Sequence, residues 1–190
     1  ITEKLYIEIE VAARGQKAVA IISGDHTNFV YVAHGDRVLL DNRSSATSES
    51  AAEKPVELSM RTIWDFAMTS PLDELEFIDQ ARRLNMAASE VSFKGNYGHS
   101  LGRLLQNDAE RLIMGDSLFT RILSYTSAAC DARMAGAMVP VMSNSGSGNQ
   151  GITSTIPVVV YAEHISATRE QMLRALILSH LTVIYIKQSL

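Results

Sequence analysis

From Leu5 to Asp41 the chain alternates apolar and polar residues. Leu5, Ile7, Ile9 and Val11 share one face and Tyr6, Glu8 and Glu10 the other, which predicts a half-buried strand of period two. Arg14-Gly15-Gln16 supplies a turn, and further strands are predicted over Ala18–Ser23, Phe29–Ala33 and Val38–Asp41. His34-Gly35-Asp36 links the last two, and such short turns favour an antiparallel meander. Residues 42–55 are small and polar with no apolar period, so they read as a loop.

Beyond that loop the period becomes helical. Ser70-Pro71-Leu72-Asp73 has the form of an N-cap, with proline at the first helical position and an acid behind it. Leu75, Ile78, Ala81 and Leu84 then follow helical spacing. Gly95, Gly98 and Gly102 interrupt, and Leu104–Met114 and Leu118–Met138 read as further helices. Thr168–Leu190 reads as a long, largely buried helix opened by Ser166 or Thr168. The fold class expected is α+β: an antiparallel sheet of about four strands, then a bundle of about six helices. The expected organisation is a β subdomain over 1–45, a linker over 46–55 and a helical subdomain over 56–190.

Composition narrows the function classes. The chain is 46% apolar and 20% charged, so long disorder is disfavoured. Lys and Arg number 17 against 21 Asp and Glu, a net charge of −4 that argues against a nucleic-acid partner. No signal-peptide core follows Ile1, and the near-apolar run Leu176–Ile186 is too short to span a bilayer, so no membrane partner is expected. One cysteine, Cys130, excludes an internal disulfide and an all-cysteine metal site, so no metal ligands are assigned. The start at Ile1 within a strand pattern, and the end within a helical one, lead us to expect a piece of a longer protein. The exposed sheet edge and the open-ended last helix favour a homo-oligomer.

The stretch richest in candidate chemistry runs from Pro140 to Thr153. Gly146, Gly148 and Gly151 free the backbone for positive φ, and N–H groups ahead of a helix make an anion site. Ser145, Ser147, Asn144, Asn149 and Gln150 add neutral donors and acceptors suited to a carboxylate or phosphate. A tight interhelical turn accounts for the glycines equally well. The spacing also matches the dinucleotide fingerprint, but the flanks are helical rather than a strand, and Glu163 and Glu170 lie in helical stretches. It matches the phosphate-binding loop of ATPases too, but Ile152 stands where the lysine belongs. His26, beside Asn28 between two strands, is a candidate acid–base residue or an exposed turn histidine. His180, on an apolar helix, is either a second catalytic candidate or a hydrogen-bonded core residue. Gly95–Gly102, with His99, either lines a cleft or turns between helices. Asp131 and Arg133 are charges in an apolar stretch and need partners, in the loop or in a ligand.

Asp131-Ala132-Arg133-Met134-Ala135-Gly136 running into Asn144-Ser145-Gly146-Ser147-Gly148-Asn149-Gln150-Gly151 resembles the central region of the serine dehydratase alpha-chain-like family, which includes the L-cysteine desulfidases. His26-Thr27-Asn28 and the helix from Leu178 to Lys187 resemble it as well. The resemblance implies a cytoplasmic lyase that turns an amino acid into pyruvate and ammonia with an iron–sulfur cluster as cofactor. The family's cluster cysteines lie in segments that this chain lacks, so the chain alone is expected to be inactive. It implies that Ser145–Gly151 forms part of a pocket for a small amino-acid substrate. Backbone N–H groups and Asn149 or Gln150 would meet the carboxylate, with His26, Asn28 and His180 as further candidates. The base that removes the α-proton is unassigned. A non-catalytic small-anion or amino-acid binding module is the alternative reading.

Overall fold

A computed structural model describes residues 5–24, 28–43, 57–107, 112, 115 and 117–188. The chain divides into two compact units, 1–56 and 57–190. The linker expected at 46–55 lies outside the described residues.

The first unit is a four-stranded antiparallel meander in chain order: β1 (Tyr6–Ala13), β2 (Gln16–Ser23), β3 (Phe29–His34) and β4 (Arg37–Asp41). Register is set by the turns. Ala13 pairs with Gln16 across Arg14 (φ 51) and Gly15 (φ 75). Two positive φ values in a two-residue loop match the right-handed strand twist. His34 pairs with Arg37 across Gly35, whose φ is 56. Irregularities at Ile21/Ile22 and Val32/Ala33 interrupt the ladders. Ile21, Val30 and Ala33 are buried, whereas every residue of β1 is exposed. This corrects the half-buried strand expected there. β1 is an edge strand, and Ile7, Ile9 and Val11 remain uncovered at 38%, 56% and 59% exposure.

The second unit contains α1 (Met60–Thr69), α2 (Leu72–Leu75), a 3-10 turn (Glu76–Ile78), α3 (Asp79–Lys94), α4 (Leu101–Leu104), α5 (Leu118–Met134), α6 (Gly148–His164) and α7 (Arg169–Gln188). The fold is therefore α+β, a four-strand sheet followed by helices. Ser59 opens α1 with a reciprocal cap, accepting from the Thr62 N–H while its own N–H reaches the Thr62 hydroxyl. Ser70 does not cap the next helix, as its sequence context suggests. It closes α1 by donating its N–H to the Phe66 carbonyl, and the stretch after Pro71 breaks into one α turn and one 3-10 turn before α3. Of the helix expected over Leu104–Met114, the described part departs from the expectation: α4 ends at Leu104 and residues 105–107 form a turn, while of the rest only Leu112 is described.

α5 stops at Met134, four residues before the expected end. Gly136 takes φ 77, its N–H donates to the Arg133 carbonyl, and that of Ala137 donates to Ala132. That is a Schellman closure, which needs the left-handed residue glycine supplies. The same closure ends α6 at Ser166, and Thr168 opens α7 by a reciprocal cap with Gln171. Of α7, only Leu173, Leu176, Ile177 and His180 are buried, fewer than its apolar sequence suggests. α6 is the central helix: Val159 joins one apolar cluster with Leu75, Leu173 and Leu176, while Ile152, Ile156 and Val160 join another with Ala88 and Ala129. Among the described residues no helix is long and apolar enough to cross a membrane.

Candidate functional site

The glycine loop enters α6 through a tight turn. Asn144 and Ser147 exchange both backbone hydrogen bonds at 3.0 Å, and between them Ser145 (φ 46) and Gly146 (φ 79) are left-handed. Two central residues with positive φ make a type I′ turn. The other two glycines serve a different need from the conformational freedom their clustering suggests. Both lie in the first turn of α6, where lack of a side chain permits close approach. A Cβ on Gly151 would overlap the Met142 carbonyl oxygen, and one on Gly148 would overlap the Arg133 guanidinium. Ser147 caps the helix, accepting from the Gln150 N–H at 3.3 Å. Among the described residues, no acceptor of the protein meets the N–H groups of Gly148 and Asn149.

Beneath the turn lies a buried polar network. Asn85 of α3 is fully buried. Its Oδ1 accepts from the Met142 N–H at 2.8 Å, and its Nδ2 donates to Met142 O (3.3 Å), Gly151 O (3.2 Å) and Thr155 Oγ1 (3.0 Å). Asn85 thus holds the irregular entry segment ahead of the turn to the start of α6. Thr155 Oγ1 donates to the Gly151 carbonyl at 2.7 Å and lies 2.9 Å from His180 Nε2. His180 Nδ1 lies 3.1 Å from Asn144 Nδ2, which also donates to the His180 carbonyl at 3.0 Å.

These contacts fix the protons. The His180 carbonyl only accepts, so the Asn144 atom facing it is the amide nitrogen, and that nitrogen donates to Nδ1. The Thr155 proton is directed to Gly151, so Nε2 carries the imidazole proton and donates to Thr155. His180 is therefore a neutral Nε2–H tautomer. Burial also lowers its pKa below the ordinary histidine value, because a charged ring is poorly solvated there. On the outer side, Ser145 Oγ donates to Asn144 Oδ1 at 2.8 Å, and Gln150 Nε2 approaches the same oxygen at 3.5 Å. Lys187, near the end of α7, donates from Nζ to the Ser145 carbonyl at 2.8 Å.

Arg133 lies across Gly148 and donates to Asn149 Oδ1 at 3.1 Å. It forms no ion pair with a carboxylate among the described residues. A guanidinium at the positive end of a helix repels it slightly, so the pair creates a local demand for an anion. Asp131 is accounted for within the protein: its carboxylate accepts from the N–H groups of His99 (3.1 Å) and Leu101 (2.9 Å), tying the Gly95–Gly102 segment to α5. Cys130 is partly buried, and burial, with Asp131 beside it, pushes its thiol pKa up, so it is held as the unreactive thiol.

The structure thus brings together Arg133, Asn144–Gly151 and His180 in the second unit. Asn28 lies in the first, where its Nδ2 donates to the carbonyl of Ser23, the last residue of β2, at 2.9 Å. His26 lies outside the described residues. Asn85 and Thr155 are not among the site residues expected from the sequence, and Lys187 enters there only as the end of the resembling helix. Asn85 had one signal: it shares the buried face of α3 with Ala81, Ala88, Ser89 and Ser92, where an amide must find partners.

A UPF0597 protein of Bacteroides fragilis is 63% identical over 190 residues, covering 100% of this chain and 44% of that relative. A UPF0597 protein of Porphyromonas gingivalis is 55% identical over 193 residues, covering 99% of this chain and 45% of its own length. One from Latilactobacillus sakei is 41% identical over 192 residues, covering 98% and 44%. The chain thus spans less than half the length of the curated relatives it matches. No solved structure matches it. A family model described as serine dehydratase alpha chain matches residues 11–190. The chain belongs to the serine dehydratase alpha chain family.

Proposed function

We propose that the turn and helix start at Asn144–Gly151 form the substrate-carboxylate site of an amino-acid lyase. The full-length protein converts L-serine or L-cysteine to pyruvate and ammonia. The observation that carries this reading is the Arg133 guanidinium lying across Gly148 at a helix start where, among the described residues, no protein acceptor meets the N–H groups of Gly148 and Asn149. A carboxylate there accepts charge-assisted hydrogen bonds, which are about twice as strong as neutral ones. The network from Asn85 to Asn144 holds these donors in place before the ligand arrives, so little ordering remains for binding to offset.

The cofactor that this reading entails is the iron–sulfur cluster of serine dehydratases. Such clusters are held by cysteine thiolates. This chain has one cysteine, and among its described residues no three His, Cys, Asp or Glu side chains are grouped to hold a metal. The residues present do not fit the cluster. In this reading its ligands come from other segments of the full-length protein, and the present chain contributes substrate binding.

The test is to purify the full-length protein without oxygen, quantify iron and sulfide, and assay pyruvate from L-serine and L-cysteine. Iron, sulfide and pyruvate together are the expected result. A folded protein that binds either amino acid without forming pyruvate would overturn the lyase reading in favour of a binding module.

A further inference from the structure

The hydrogen bonds around His180 run in one direction. Ser145 Oγ–H donates to Asn144 Oδ1, Asn144 Nδ2–H to His180 Nδ1, His180 Nε2–H to Thr155 Oγ1, and Thr155 Oγ1–H to the Gly151 carbonyl. Two carbonyls that can only accept, those of His180 and Gly151, anchor that direction. The consequence reaches the surface. Ser145 is exposed, and its single hydroxyl proton is committed inward at 2.8 Å. Outward it offers lone pairs only. A free serine hydroxyl would adapt to either a donor or an acceptor; this one is restricted to a donor.

We propose that the Ser145 hydroxyl accepts a hydrogen bond from the α-ammonium group of the amino-acid ligand, its own proton being held inward by the Asn144 amide oxygen. The proposal rests on the reading of the loop as a carboxylate site and adds the group that separates an amino acid from a simple carboxylic acid. The two halves of the ligand then meet different groups of one short turn, in which the Ser145 carbonyl already accepts from Lys187 Nζ at 2.8 Å and the Ser145 hydroxyl oxygen is left for the ligand. The carboxylate faces Arg133 and the N–H groups of Gly148 and Asn149, and the ammonium faces the Ser145 lone pairs.

Two probes that carry no leaving group separate the two contacts: L-alanine, which has both groups, and propionate, which has the carboxylate alone. Their dissociation constants are measured on the full-length protein and on Ser145→Gly. Glycine suits the left-handed backbone at this position, so the variant keeps the turn. Ser145→Ala, which retains the Cβ, is run alongside. Both variants lose a hydrogen bond to a charged group and should bind L-alanine about tenfold or more weakly. Propionate binding should change less than about threefold, since a tenfold change requires about 1.4 kcal/mol. If L-alanine and propionate weaken by the same factor, or if L-alanine binding is unchanged, the ammonium assignment is wrong while the carboxylate site stands. If neither probe binds the unaltered protein, the carboxylate site fails and the assignment fails with it.

Discussion

At His180 the side chain's role follows from counting protons. Both ring nitrogens are engaged, one accepting from Asn144 and one donating to Thr155, and a second ring proton would point at the Asn144 amide hydrogens. The folded protein therefore holds the ring neutral, with its pKa lowered by burial. In the unfolded chain the same ring takes up a proton near pH 6.5, its ordinary value. Below that pH the unfolded state binds more protons, so stability falls as pH drops from about 6.5 toward the lowered native value. Replacing the imidazole by His180→Gln removes this contribution. Denaturant unfolding at several pH values between about 8 and about 5.5 should show a steeper acid-side loss for the unaltered protein than for the variant. Equal slopes would mean that His180 is not held neutral. In the sequence this histidine was visible on its apolar helix, but its partners were not. Asn144 is 36 residues away and Thr155 is 25. Asn85 was less visible still, since the atoms it binds lie 57 to 70 residues on.

At the scale of elements, local chemistry predicted the turns well and the glycine loop less well. The strand turns at Gly15 and Gly35 were readable because a two-residue loop between alternating runs requires positive φ, and that requirement is local. Ser70 misled because a serine ahead of Pro-Leu-Asp suits a helix start, whereas its backbone closes α1. Among the loop glycines only Gly146 is left-handed; Gly148 and Gly151 are needed because Arg133 and the Met142–Ser143 backbone press against the start of α6. No local pattern reports such an approach. It makes a prediction about how the entry segment packs on α6. Gly151→Ala pushes a methyl group against backbone, which cannot swing aside as a side-chain tip can. The variant should lose about 1–3 kcal/mol of stability, the usual cost of overpacking, in denaturant unfolding. A variant as stable as the parent would show that the entry segment does not pack on α6 as described.

For the whole molecule, the α+β class was legible from the change of period between Asp41 and Met60, from two to helical. The exposure of β1 was not legible, because alternation shows which residues share a face and says nothing about whether that face is covered. α6 unites fold and site: its buried side joins both apolar clusters of the second unit, and its first turn carries the glycine loop. A ligand at that turn would rest on a helix anchored in both clusters, which suits a site that must hold its donors still. If this turn, with Arg133, receives the substrate carboxylate of an amino-acid lyase, removing the guanidinium charge must weaken substrate binding. The most direct measurement is steady-state pyruvate formation from L-serine and L-cysteine by the full-length protein and its Arg133→Met variant, which keeps most of the side-chain stem and loses the charge. Pyruvate is expected from the unaltered protein, with KM raised about tenfold or more in the variant and kcat affected far less. An active parent with KM unchanged in the variant, or a folded parent that forms no pyruvate from either amino acid, would contradict this reading.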